Sequence, residues 1–215
     1  MIITTGGIKG GSGKTTIATN LTIMLANKGY DVLLVDADDQ ETATDFTAWR
    51  EESTAGKIGY TSVKITGDAV RTQVLKLSQK YDHVIIDTGG RDTSSQRAAL
   101  SVSDVYLVPF TPRSFDLWTL RKVEILVSEI KLVSPKLKAL IFLNRADSRG
   151  ADNDDSADLL NQSECLSYLD CPVGNRKVFS NAAASGLSVA EVKPVDEKAI
   201  KELTILFDNV MSMNG

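Results

Sequence analysis

The run Lys9-Gly10-Gly11-Ser12-Gly13-Lys14-Thr15-Thr16 gathers the groups that phosphate chemistry requires. Glycines leave backbone N–H groups free to approach an anion with no side chain in the way. Lys14 supplies a cation at the reach of β- and γ-phosphates, and the Thr15 hydroxyl can take a place on Mg2+. Thr16 leads into a helix-period segment, and a helix starting here adds its unpaired N–H groups and the positive end of its dipole.

Two further stretches deliver carboxylates. VLLVDADDQ places Asp36, Asp38 and Asp39 after an apolar run, and YDHVIIDTGG places Asp87 after another, followed by Gly89 and Gly90. An acid at the end of a strand beside a phosphate loop can hold Mg2+ directly or through water. A second acid can orient the attacking water, the main task left to a protein in phosphoryl transfer. Asp38 and Asp39 also precede a helix expected near Thr42–Glu52, so a capping role for either stays open. Gly89, Gly90 and Arg91 stand where loss of a γ-phosphate would be sensed.

The elements that must position these groups are legible in the apolar pattern. Ile2–Ile3, Val32–Val35, Val84–Ile86, Val105–Val108 and Leu140–Leu143 are short continuous apolar runs, as strands covered on both faces require. Between them lie helix-period segments: Thr15–Lys28 with Ile17, Leu21, Met24 and Leu25; a run with Leu117, Leu120, Val123, Val127 and Ile130; and Glu197–Met213. Such alternation predicts an α/β fold with a mostly parallel, twisted sheet flanked by helices, in one domain spanning 1–215. Ligands of such sheets lie at the carboxyl ends of the strands, where the loop and both aspartates fall. The glycines and threonines near Gly56–Gly67 predict an irregular connection. Seven acidic residues against one arginine over Asp147–Asp170 predict a solvated loop at the start of that stretch.

The strict G-x4-G-K-[ST] pattern fails, because Ile8 stands at the first glycine position while Lys9 precedes the glycine pair. That combination resembles the deviant Walker A motif of the ParA/MinD family of P-loop ATPases, and the chain as a whole is most similar to short ParA-type plasmid partition proteins. VDADDQ resembles the family's A′ motif, with Asp39 at its usual proline, and IIDTGG resembles its Walker B motif. The resemblance implies a P-loop NTPase fold that takes ATP and Mg2+. It implies that Gly10, Gly11, Ser12, Gly13, Lys14, Thr15 and Thr16 cradle the phosphates, with Thr15, Asp36 and Asp87 around the metal. Asp38 would position the hydrolytic water, and Lys9 would cross a dimer interface to the partner's phosphates. Asn144-x-x-Asp147 resembles a base-reading motif, and with an ATPase-type loop it implies adenine, touched by Asn144.

Composition narrows the class. Hydrophobic residues make up 42% and charged residues 24%, as in ordinary globular chains, so a disordered or fibrous protein is excluded. A single histidine, His83, leaves no material for a multi-histidine metal site or a serine–histidine triad. Cys165 and Cys171 match no zinc or redox spacing and are expected to be buried as small apolar residues in a cytoplasmic, reducing setting. By resemblance the protein forms a homodimer with ATP, binds DNA non-specifically as a nucleoid-associated dimer, and is stimulated by a ParB-like centromere-binding or cargo adaptor protein. Net charge is −4, so DNA binding needs a local basic patch, for which Arg145, Arg149, Arg176 and Lys177 are candidates. A MinD-like membrane ATPase and a ParA-like ATPase positioning a non-DNA cargo are the alternatives. The tail lacks the lysine-rich polar face of a lipid-binding helix, so a membrane partner is not expected.

Overall fold

The computed structural model describes residues 1–112, 117–147 and 152–213. In chain order the elements are β1 (Ile2–Thr5), α1 (Lys14–Asn27), β2 (Val32–Asp36), α2 (Thr42–Ser53), β3 (Thr61–Lys64), α3 (Ala69–Leu77), β4 (His83–Asp87) and α4 (Ser94–Leu100). They continue with β5 (Val105–Phe110), α5 (Leu117–Val133), β6 (Lys138–Ala146), α6 (Asp152–Asn161), β7 (Ser167–Gly174), α7 (Lys177–Ala184) and α8 (Glu197–Ser212). All seven strands join one sheet in the order β3-β2-β4-β1-β5-β6-β7, and every pairing is parallel.

The continuous apolar strands are explained by helices on both faces. Successive residues of a strand point to opposite sides. Ile3, Leu34, Ile85 and Phe142 pack with α1 and α8 on one face. Leu33, Val35, Val84 and Ile86 pack with α3 and α4 on the other, and beside them Tyr106, Val108 and Ile141 pack with α5 and α6. Helix α8 buries Leu203, Leu206, Phe207 and Val210 in the core. Cys171 is buried in β7, and burial pushes its thiol up to about 11.

Two stretches are more ordered than the sequence predicts. The expected irregular connection at 56–67 contains β3, an edge strand whose four residues are exposed or half-buried. An edge strand has no neighbour to bury it on its outer side, so it carries no apolar run. The start of the acidic stretch, including Arg149, lies outside the described residues, but from Asp152 the chain forms α6 and then β7. Acidic side chains at Asp152, Asp154 and Asp155 suit the first turn of a helix, where they face the positive end of its dipole.

Candidate active site

Strands β1, β2 and β4 are hydrogen-bonded neighbours, and Asp36 and Asp87 end their strands in direct register. The phosphate-loop residues follow β1, so sheet topology alone brings the glycine-rich loop, the A′ aspartates and the Walker B aspartate to one edge. There a cavity of roughly 690 Å3 opens, with Gly11, Lys14, Thr15, Asp38, Gly90 and Arg145 in its walls and Asp36 and Asp87 buried behind them.

Gly13 initiates α1 from the left-handed region, with φ 91°. A side chain there would be strained by that φ, and its Cβ would fall 2.3 Å from the Asn144 carboxamide nitrogen. Lys14 is buried, and desolvation lowers the pKa of its ammonium despite the opposing pull of Asp87 and Asp38. Its Nζ donates to the Lys9 carbonyl at 3.1 Å. The Lys9 side chain is exposed and makes no ion pair with any described residue. The Ser12 hydroxyl is buried with no hydrogen-bond partner among the described residues.

Thr15 Oγ1 donates to Asp87 Oδ2 at 2.6 Å, joining the two groups expected on the metal. Asp87 is fully buried, and burial pushes its carboxyl up to about 7, against the Thr15 hydrogen bond and with help from Asp36. Asp38 is half-buried on the cavity wall, and its Oδ1 accepts the Gln40 N–H at 3.1 Å. Asp39 and Gln40 are exposed along the rim.

Two of the expected site residues carry hydrogen bonds that the motifs do not announce. Asp36 is fully buried, and its carboxylate is taken up by the chain: Oδ1 accepts the Asp38 N–H at 3.1 Å, and Oδ2 accepts both the N–H and the hydroxyl of Thr44 at 2.8 Å. Its Oδ2 thus anchors the first turn of α2, the capping role open to Asp38 or Asp39, while Oδ1 holds the loop that carries Asp38. The residue capping the helix, Glu41, makes no side-chain cap hydrogen bond of its own. Asn144 is buried beneath the phosphate loop and donates its Nδ2 to the Ser12 carbonyl at 2.7 Å. That supports the loop, a different task from touching a base edge. Its neighbour Arg145 adopts φ 57° beside the irregular register of β6 with β7. The kink leaves Asn144 buried and Arg145 exposed at the cavity.

Sequence reasoning missed the support for α2. Arg50 is buried, donates to the Ile58 and Gly186 carbonyls, and pairs with Glu191 through both terminal nitrogens at 2.9 and 2.8 Å. Nothing in the local pattern marks a contact across 141 positions. Of the basic residues considered for DNA, Arg176 is held by Glu202 at 2.6 Å, while Arg145 and Lys177 are exposed.

A parallel sheet wound on both sides, with a glycine loop between its first strand and first helix and acids at the neighbouring strand ends, is a P-loop nucleotide-binding protein. Residues 3–189 match the model of the CobQ/CobB/MinD/ParA nucleotide binding domain, and the chain belongs to that family. It is 28% identical over 206 residues to maintenance of carboxysome distribution protein A of Halothiobacillus neapolitanus, covering 95% of this chain and 93% of that protein. A putative plasmid partition protein from Borrelia burgdorferi, bound to AMPPNP, shares the fold with a TM-score of 0.76 at 20% identity, over 98% of both chains. The cell division ATPase MinD of Pyrococcus furiosus does so with a TM-score of 0.76 at 18% identity, over 99% of this chain and 98% of that one.

Proposed function

We propose that this protein is a Mg2+-dependent ATPase that dimerises on ATP and uses the resulting cycle to position a cargo. The observation that carries the reading is one cavity lined by the glycine loop, Lys14, Thr15 and Asp38, with Asp87 buried behind Thr15 and the exposed Lys9 side chain beside it, unpaired among the described residues. The donor set fits a magnesium–triphosphate. Lys14 Nζ is held by one carbonyl, which a phosphate oxygen can replace, and the Ser12 hydroxyl has no partner among the described residues. Among the described residues no group of three or more histidine, cysteine, aspartate or glutamate side chains is arranged to hold a metal unaided. That suits an ion arriving with the phosphates, as Mg2+ commonly does. Thr15 and Asp87 would hold it, and bound there it would neutralise charge developing on the phosphoryl oxygens.

The remaining work falls to the protein. Lys14 places positive charge beside the β- and γ-phosphates. Asp38, set by its N–H bond to Asp36, orients water for in-line attack. Lys9 reaches the triphosphate of the second protomer, so the dimer exists only while that charge is present. The motifs contain no arginine finger, and turnover is slow until an adaptor supplies a cation or orders the Gly89–Arg91 turn.

The likeness to a carboxysome distribution protein over nearly the full chain supports a protein assembly as cargo, carried by a ParA-like dimer that binds DNA without sequence preference. The likeness to a partition protein supports the alternative in which the cargo is DNA itself. Helix α8 commits Leu203, Leu206, Phe207 and Val210 to the core, which speaks against a lipid-binding tail.

Sedimentation of the purified protein with ATP, with ADP and without nucleotide tests the reading, with Lys9→Ala in parallel. ATP alone is expected to give the dimer, and Lys9→Ala to bind nucleotide and stay monomeric. A wild-type protein that ignores adenine nucleotides, or binds them and stays monomeric at every concentration, overturns it. A DNA shift with ATP over several salt concentrations then tests the DNA arm, where steep weakening with salt is expected.

A further inference from the structure

Gly90 lies against the backbone of the phosphate loop. A Cβ at this position would fall 2.8 Å from the Gly10 nitrogen, 2.9 Å from Gly10 Cα and 3.0 Å from the Lys9 carbonyl carbon. Gly90 is absent from the left-handed glycines, so its requirement is space and not conformation. The preceding Gly89 is crowded by something else: a Cβ there would fall 2.9 Å from Asp38 Oδ1. The reason is topological. The chain leaves β4 at Asp87 beside β1, whose Thr5 is its register partner, so the turn after β4 runs along the loop after β1. Its other neighbour is β2, from which Asp38 follows.

We infer that Gly89 and Gly90 are positioning residues with separate targets: Gly90 sets the Lys9–Gly10 peptide, and through it the lysine that reaches the partner, while Gly89 sets the Asp38 carboxylate. The turn expected to sense the γ-phosphate thereby leaves no room for a side chain against either output of the site, dimerisation at Lys9–Gly10 or water activation at Asp38. The materials in contact differ. Backbone cannot yield to Gly90 without moving the loop, whereas the Asp38 carboxylate is the end of a side chain and can swing. Without nucleotide the Lys9 carbonyl is also held from a second direction by Lys14 Nζ at 3.1 Å; once a phosphate oxygen takes over that Nζ, the contact with the turn is what remains. The inference rests on the ATP-dependent dimer proposed above.

Gly90→Ala and Gly89→Ala, each compared with wild type, separate the two targets. Three quantities are measured: affinity for a fluorescent ADP, the dimer dissociation constant with ATP by analytical ultracentrifugation, and single-turnover hydrolysis. Gly90→Ala is expected to weaken the ATP dimer by about tenfold or more beyond whatever affinity for ADP is lost through the displaced Gly10 N–H. Gly89→Ala is expected to keep the dimer within about threefold and to slow hydrolysis about tenfold, the scale of a small misplacement of a reacting group. A general loss of structure would move ADP binding and dimerisation together, so the split between them is the decisive readout. Wild-type dimerisation in Gly90→Ala overturns the inference, and so does a parallel loss of ADP affinity. Unchanged turnover in Gly89→Ala overturns its second half. A wild-type protein that stays monomeric with ATP refutes instead the dimer on which the inference rests.

Discussion

The Thr15 hydroxyl and the Asp87 carboxylate are 2.6 Å apart, so the pair expected to receive Mg2+ is preassembled by β4 and the first turn of α1. Burial holds the Asp87 carboxyl at about 7 against an ordinary 3.8. Between those values the folded protein binds a proton that the unfolded chain has released, so this group's contribution to stability is full below about pH 4 and is lost as the pH rises through about 7. Asp87→Asn removes the buried charge. Without nucleotide, the variant is expected to exceed wild type at pH 8 by about 1–3 kcal/mol and to lose that advantage toward pH 5. Thermal unfolding at both pH values, wild type against variant, checks it; a constant difference removes Asp87 from the account.

Asn144 offers a clean choice between two tasks. If its amide supports the loop through the Ser12 carbonyl, Asn144→Ala leaves a buried acceptor unpaired and costs about 1–3 kcal/mol of stability. ATP, ADP and GTP then lose affinity by a similar factor. If instead it touched adenine, the loss would be confined to adenine nucleotides. The measurement is the ratio of ATP to GTP affinity in the two proteins, and an unchanged ratio is expected.

What could be read from the sequence follows burial and locality. β1, β2, β4, β5 and β6 lie inside the sheet, and their apolar runs announce them. β3 and β7 are its edges; the burial of β7 alternates and that of β3 is slight, so neither carries the run. The phosphate loop and both acidic motifs were legible because each is a contiguous stretch whose chemistry is local. Asp36 was assigned by its place in a motif, yet its bonds to Thr44 depend on how β2 turns into α2. Asn144 and Ser12 are 132 positions apart, and no spacing rule connects them before the sheet is built.

Asp36 and Asp38 should fail differently. Asp38→Ala removes the water-orienting group and one exposed bond from the Gln40 N–H, so ATP binding and dimerisation persist while turnover falls by about a hundredfold or more. Asp36→Asn keeps the shape but weakens the bonds to the Asp38 N–H and to Thr44. Its turnover is expected to fall with an unchanged Mg2+ concentration dependence. A shift of that dependence to higher Mg2+ would place Asp36 on the metal.

Arg50 fastens the far end of α2 as Asp36 fastens its start. Its partner Glu191 would be raised by burial, but hydrogen bonds from Arg50 and Ser188 together hold it below the ordinary carboxylate range. The sign follows: the pair's contribution is present above the ordinary carboxylate pKa and is lost as the pH falls through the depressed value. Arg50→Ala leaves the half-buried Glu191 without its cation and empties the contacts to Ile58 and Gly186, for a loss of about 3 kcal/mol at neutral pH. Glu191→Ala in the same background should add little, since the two share one interaction. Urea unfolding of the two single variants and the double variant measures that coupling. Since α2 begins at the loop that carries Asp38, loosening its far end should also slow hydrolysis in the folded fraction, and a stability loss with unchanged turnover would show that the helix is anchored well enough by Asp36 alone.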